Sequence, residues 1–182
     1  LLIIGGRGAG KTHLFRVISS NAASASLSFY PDFANAYRII GYATKGPATE
    51  IPIFPSEQAM QNFVVHVNGE RSKLMLFWQA LVIACMYRDK SIPFDWEKTG
   101  ISRELLDAFE SLNEVSRWFD IAQTFQEKLD VILTKIDEKL EAEGRYLFVM
   151  YDDLDVIAVE WEAKKELIRS LLQFWQGQWR RL

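Results

Sequence analysis

Gly5-Gly6-Arg7-Gly8-Ala9-Gly10-Lys11-Thr12 fits the pattern G-x-x-x-x-G-K-[ST]. Glycines at these places let a backbone wrap closely, so that consecutive N–H groups and the start of the next helix point at one anion. Lys11 at the end of such a loop reaches outer phosphates, and the hydroxyl of Thr12 binds Mg²⁺. His13 completes the stretch expected to meet a nucleotide. Neither it nor His66 has a Cys or an acid at metal-ligand spacing, and neither is read as a metal ligand. The second set of reactive residues follows Tyr146-Leu147-Phe148-Val149-Met150-Tyr151, an apolar and aromatic run that passes at once into Asp152-Asp153-Leu154-Asp155. An acid at the end of a buried strand can hold the Mg²⁺ water shell, which assigns Asp152 to the metal and leaves Asp153 to polarise an attacking water. Asp155 fits a cap or a salt bridge as well as a site.

These residues need a strand before the loop, a helix after it and a second strand before the acids. Leu1 to Ile4 is a short continuous apolar run, the pattern of a covered parallel strand. Leu14, Phe15, Val17 and Ile18 recur at helical spacing after Thr12, and the segment from Ser19 to Ser26 ends that helix in small polar residues. Short strands are expected at Leu27 to Tyr30 and Tyr37 to Ala43, in a loop-rich connection that holds four of the five prolines, from Pro31 to Pro55. Ser56 then caps a helix whose face is Met60, Phe63, Val64 and Val67, and Asn68-Gly69 stops it in the left-handed conformation. A buried helix follows from about Ser72 to Tyr87. From Ser102 to about Glu143 eleven apolar positions recur in threes and fours, which predicts a long helical region with one break near Asn113 or Asp120. Gly144-Arg145 ends it, the second strand follows, and an amphipathic helix from about Glu160 to Trp179 comes last.

The 182 residues, 49% hydrophobic and 25% charged, suffice for roughly one domain with a sizeable core, which excludes a disordered segment or a disulfide-stapled miniprotein. A net charge of −3 gives no overall field for nucleic acid or acidic lipid. Nucleic acid is thus not indicated as a partner, although a local basic groove remains compatible with the composition. Cys85, the one cysteine, sits in an apolar stretch as a buried small hydrophobe, which suits a reducing cytosol. The longest apolar run, Leu74 to Tyr87, is interrupted by Gln79 and is shorter than the ~20 residues of a span, so no membrane is expected and the location reads as cytoplasmic. The start without methionine, directly in a strand, and the end at Arg180-Arg181-Leu182 read as a piece cut from a longer protein.

The pair GGRGAGKT and YLFVMYDDLD resembles the P-loop ATPases of the additional-strand type, and the strand-Asp-Asp-Leu-Asp form is similar to the STAND and AAA+-related signalling ATPases. The last helix, with Ile168, Leu171, Leu172, Phe174 and Trp175, is similar to large bacterial ATPases of antiphage defence. The resemblance covers about 30 residues at the two motifs and the last helix. It implies an α/β three-layer sandwich spanning 1–182, with a central parallel sheet of order 5-1-4-3-2, its C-terminal strands missing, and a helical insertion at about 56–143. It further implies ATP and Mg²⁺ at the switch point, assembly into a homo-oligomeric ring, and a separate effector protein as a possible partner. A sensor strand and a lid domain are not present in the sequence, and no arginine finger is assigned, since Arg180 and Arg181 read better as a solvated helix end.

Thr134-Lys135-Ile136-Asp137 spells the T-K-x-D sequence that reads guanine in GTPases. Leu129, Ile132, Ile136 and Leu140 make it part of a helix, on which Lys135 and Asp137 are expected on the wet face. Trp175 and Trp179, four apart beside Leu171 and Leu172, read as core or subunit interface rather than as a base-stacking platform.

Overall fold

A computed structural model describes residues 10–19, 36–43, 55–89, 92–157, 160–177, 179 and 181–182. At its middle lies α3 (Arg71–Arg88), in which Leu74 and every residue from Leu76 to Met86 are buried. A helix apolar on all sides must be surrounded, and α3 packs against β1 (Tyr37–Tyr42), α4 (Arg103–Phe109), α5 (Val115–Gln123), α6 (Gln126–Ala142) and α7 (Trp161–Trp175). Its one buried polar side chain, Gln79, donates to Asp130 Oδ1 on α6 at 2.6 Å. Phe77 of α3 stacks with Trp118 of α5 at 5.6 Å and meets Phe63 of α2 (Glu57–His66) at 4.6 Å. The Trp78 indole N–H donates to Leu167 O and Ser170 Oγ of α7, both at 3.0 Å, so the largest ring of the core is also satisfied.

Local chemistry explains the helix boundaries. Ser56 Oγ accepts from Ala59 N, and Asn68 and Gly69 turn α2 off at φ of 53° and 63°. Ser102 caps α4 through Leu105 N. The expected single break in 102–143 is two breaks. One falls at 110–114, where Asn113 Oδ1 leaves the helical path to accept Ser56 N at 2.7 Å. The other lies at Thr124 and Phe125, where the Thr124 hydroxyl donates to Ile121 O and closes α5. The last helix ends at Trp175, four residues before the expected Trp179.

The largest correction concerns the sheet. In place of five strands in the order 5-1-4-3-2, the sheet among the described residues has two, β1 and β2 (Leu147–Tyr151), and the molecule is mainly helical rather than a three-layer sandwich. The physical reason is the all-round apolar surface of α3, which gathers four helices about itself and leaves the strands on one side of a helical core. Residues expected to form an insertion, 56–143, carry most of that core. The expected strands at Leu1 to Ile4 and Leu27 to Tyr30 lie outside the described residues.

β1 and β2 run parallel, with Tyr37 opposite Leu147, Ile40 opposite Met150 and an irregularity before Tyr42 meets Tyr151. Gly41 permits this pairing, because a Cβ there would stand 2.6 Å from Tyr151 Cε1 and 2.8 Å from Val149 Cγ1. Cys85 Sγ donates to Gly41 O at 3.7 Å, and the Trp175 indole donates to the Tyr151 hydroxyl at 3.1 Å, fixing the sheet to α3 and α7. Burial pushes the Cys85 thiol up to about 12, which agrees with its reading as an inert core residue. No helix among the described residues is long and apolar enough to cross a membrane.

Candidate functional site

Gly5, Gly6, Arg7, Gly8 and Ala9 lie outside the described residues, which begin at Gly10. Gly10 has φ of +77°, a conformation that suits glycine, and its carbonyl accepts Leu14 N at 2.9 Å to open α1 (Lys11–Ser19). Lys11 and Thr12 occupy the first turn half-buried and His13 is exposed. That turn contains no acidic residue, so no side chain within it neutralises the positive end of the helix dipole.

α1 packs against β1, and β1 lies beside β2. Gly10 to Thr12 of the first motif therefore open a helix packed on the sheet whose second strand leads into the acids of the second motif. Asp152 leaves the end of β2 with its N–H donating to Tyr42 O at 2.9 Å, which ties the start of the acidic run to the end of β1. Asp153 is half-buried at φ of 56°, a left-handed torsion that costs a non-glycine residue roughly 1 kcal/mol. Its carbonyl accepts Val156 N at 3.0 Å, closing the turn, and Asp155 is exposed on it. Thr12 and Asp152 are not joined by a hydrogen bond among the described residues.

Two residues join this end of the sheet without a signal in the sequence. The Tyr42 phenol is pushed up to about 12, first by burial and then by the carboxylates of Glu57 and Asp153. Glu57 looks in the sequence like an ordinary first-turn acid of α2. Its field reaches Tyr42 because the start of α2 lies near the end of β1, a proximity that local pattern does not encode.

Magnesium takes oxygen donors and keeps several waters, binding through one or two protein groups together with phosphate oxygens. The Thr12 hydroxyl and the Asp152 carboxylate are hard oxygen donors of that kind. Among the described residues no group of three or more His, Cys, Asp and Glu side chains is placed to hold a metal ion.

The remaining candidates separate from this end. Thr134 to Asp137 lie within α6 as expected, with the Thr134 hydroxyl bonded to Asp130 O. Asp137, however, is buried rather than on the wet face. Its Oδ1 accepts the backbone N–H groups of Arg181 at 2.7 Å and Leu182 at 3.2 Å, segments that a helical stripe cannot foresee. The Arg181 guanidinium lies 4.5 Å from the Tyr146 ring centre, and its carbonyl accepts Leu147 N at 2.8 Å. Arg181 thus sits at the start of β2, five residues and roughly 16 Å from Asp152 within one chain. Arg180 lies outside the described residues. His66 Nε2 meets Asp120 Oδ1 at 3.0 Å, an exposed link between α2 and α5.

Compared with known proteins, the chain matches no family model, no curated protein and no solved structure.

Proposed function

We propose that this chain binds ATP with Mg²⁺ and hydrolyses it, with the nucleotide's phosphates at the start of α1. The supporting observation is the arrangement at one small sheet: a left-handed Gly10, Lys11 and Thr12 in an acid-free first turn packed on β1, and Asp152 and Asp153 at the end of the adjoining β2. Backbone amides of the glycine-rich loop and the Lys11 ammonium bind and stabilise negative charge on the phosphates. Thr12 and Asp152 would hold Mg²⁺, which when bound neutralises charge on the phosphate oxygens. Asp153 accepts a hydrogen bond from the attacking water and orients it. As in the ATPases the motifs resemble, turnover would be slow and would drive assembly or a conformational switch in a defence or signalling complex, with a separate effector as partner.

Fluorescent-ATP binding by wild type and Lys11→Ala tests the phosphate assignment. Loss of binding in the variant is expected, and equal affinity overturns it. In the full-length protein Asp152→Asn should weaken Mg²⁺-dependent binding, whereas Asp153→Asn should keep ATP bound and slow turnover by ~100-fold or more, the scale of a positioned general base. ATP bound alike and left intact by both wild type and Asp153→Asn over hours would replace the hydrolase with a non-hydrolysing binding module.

A further inference from the structure

Three lysines share one line along α6. Lys128, Lys135 and Lys139 follow one another at spacings of seven and four residues, two turns and then one turn of helix. The outer two hold backbone. Lys128 Nζ donates to Gly100 O at 2.9 Å and Lys139 Nζ donates to Pro93 O, so together they clamp the segment 93–100 onto the helix. Lys135, between the clamps, is exposed and makes no hydrogen bond or ion pair among the described residues.

Lys135 borders a cavity of about 230 Å³ whose other walls are Phe94, Asp95, Lys98, Thr99 and Lys139. These walls are braced from behind. Trp96, in the 3-10 turn Trp96–Thr99, meets Phe94 edge-on at 5.0 Å and Tyr87 of α3 at 5.7 Å, and Thr99 Oγ1 donates to Trp96 O at 2.6 Å. The cavity gathers three ammonium groups against one carboxylate, Asp95, which accepts from Lys98 at 2.7 Å. Glu143, 3.7 Å from Lys139 Nζ, offsets part of the remaining charge from outside the cavity. Such exposed pairs are weak and re-pair at little cost. Lys139 Nζ also lies 6.0 Å from the centre of the Phe94 ring, so the positive charge and the apolar surface adjoin.

We infer that this cavity binds a phosphate monoester carried on a single ring. Ammonium groups act as point charges with three donors each, and here they converge from two elements, which suits a tetrahedral phosphate with three acceptor oxygens and a charge of about −2. A planar carboxylate is matched better by the fork of an arginine, and the described lining contains none. The Phe94 ring and the methylene stems of the lysines supply an apolar floor for the ring of the ligand. The volume is below the roughly 300–1,000 Å³ of pockets for drug-sized ligands, so one ring with its phosphate fits better than a nucleoside triphosphate. The site shares no element with α1 or with the end of β2 and stands apart from the ATPase reading.

Backbone amide NMR shifts of the isotope-labelled protein, titrated with phenyl phosphate at low salt, read this site directly. Shifts should move at 94–99 and 135–139 with a Kd on the order of 0.1–1 mM. Lys135→Ala, at an exposed position and checked for folding by circular dichroism, should weaken binding by about tenfold or more. Lys11→Ala should leave it unchanged. Inorganic phosphate, phenol and benzoate should each bind at least about tenfold more weakly, because each lacks the ring, the charge or the third oxygen. No shift up to about 10 mM phenyl phosphate overturns the inference, as does binding indifferent to Lys135→Ala or benzoate bound as tightly. Shifts confined to 10–14 and lost in Lys11→Ala would overturn it too, by placing the phosphate at the start of α1.

Discussion

The helical core around α3 and the end of the sheet where β2 stops are built on opposite terms. In the core, rings fill the space and the polar groups of its central rings and of α3 are partnered: Gln79 on Asp130, the Trp78 indole on Leu167 and Ser170, the Trp118 indole on Leu112 O at 3.1 Å. At the end of the sheet acids stand half-buried, Asp153 holds a left-handed torsion, and the buried Tyr42 phenol lies in the field of two carboxylates. A strained torsion persists where its surroundings impose it. Here the Asp152 N–H bond to Tyr42 O and the Val156 N–H bond to Asp153 O bracket the strained residue, so the cost is sustained by a sheet that the core in turn anchors. Stability and candidate chemistry thus occupy different places, joined through Gly41, Cys85 and Tyr151.

The comparison breaks first at Trp78. Trp78→Ala removes the ring between α3 and α7 and deprives the buried Ser170 hydroxyl of a donor, which should cost ~3–5 kcal/mol in a urea titration. Because Trp78 also meets Tyr151 edge-on at 5.9 Å, a variant that remains folded should lose ATP affinity too. Loss of stability with ATP affinity intact would show that the sheet's end is held independently of the core.

What the sequence made legible follows the same division. Ser56, Asn68-Gly69 and Gly144 set helix ends through contacts a few residues long, and the pattern read them correctly. The second break at Thr124 and Phe125 is not legible because the apolar spacing continues through it; the amide and the hydroxyl of Thr124 both bond to Ile121 O at the stop. Strand β1 was foreseen as a short strand, but its pairing with β2 spans more than a hundred residues of sequence, and periodicity carries no such information. The five-strand expectation rests on motif resemblance, and the apolar pattern of α3 marks one buried helix without specifying the four helices that enclose it. Glu57 and Tyr42 carry no local signal for the same nonlocal reason, while Lys11, Thr12, Asp152 and Asp153 stand out by residue type and order alone.

A smaller effect sharpens the boundary between the two regions at Asp137, which belongs to a core helix yet holds the backbone at the start of the sheet. Asp137→Ala leaves two amides, those of Arg181 and Leu182, without their acceptor, at a cost of ~1–3 kcal/mol in denaturant. ATP and GTP affinities should change together or not at all. A selective loss of GTP binding by ~10-fold, about 1.4 kcal/mol, would instead give the T-K-x-D sequence a role in base choice.

The smallest expected effect tests how the periphery of the core joins α7. Glu166 accepts two hydrogen bonds from Arg71 of α3, at 2.8 and 3.1 Å, and one from Arg169 at 2.9 Å. The Arg71 and Arg169 bonds hold its carboxyl below its ordinary value of 4.5. A carboxyl depressed in the folded state stabilises the fold above its unfolded value, and that contribution disappears as pH falls through the lower folded value. Glu166→Gln should therefore lower the urea midpoint slightly at pH 7 and converge with wild type as pH falls through the lowered folded value. Since the group is near the surface, added salt should shrink the difference as well. A gap between the two proteins that persists unchanged into acid would mean that the glutamate acts through packing, and that α7 is held to α3 by Trp78 and its apolar neighbours without help from charge.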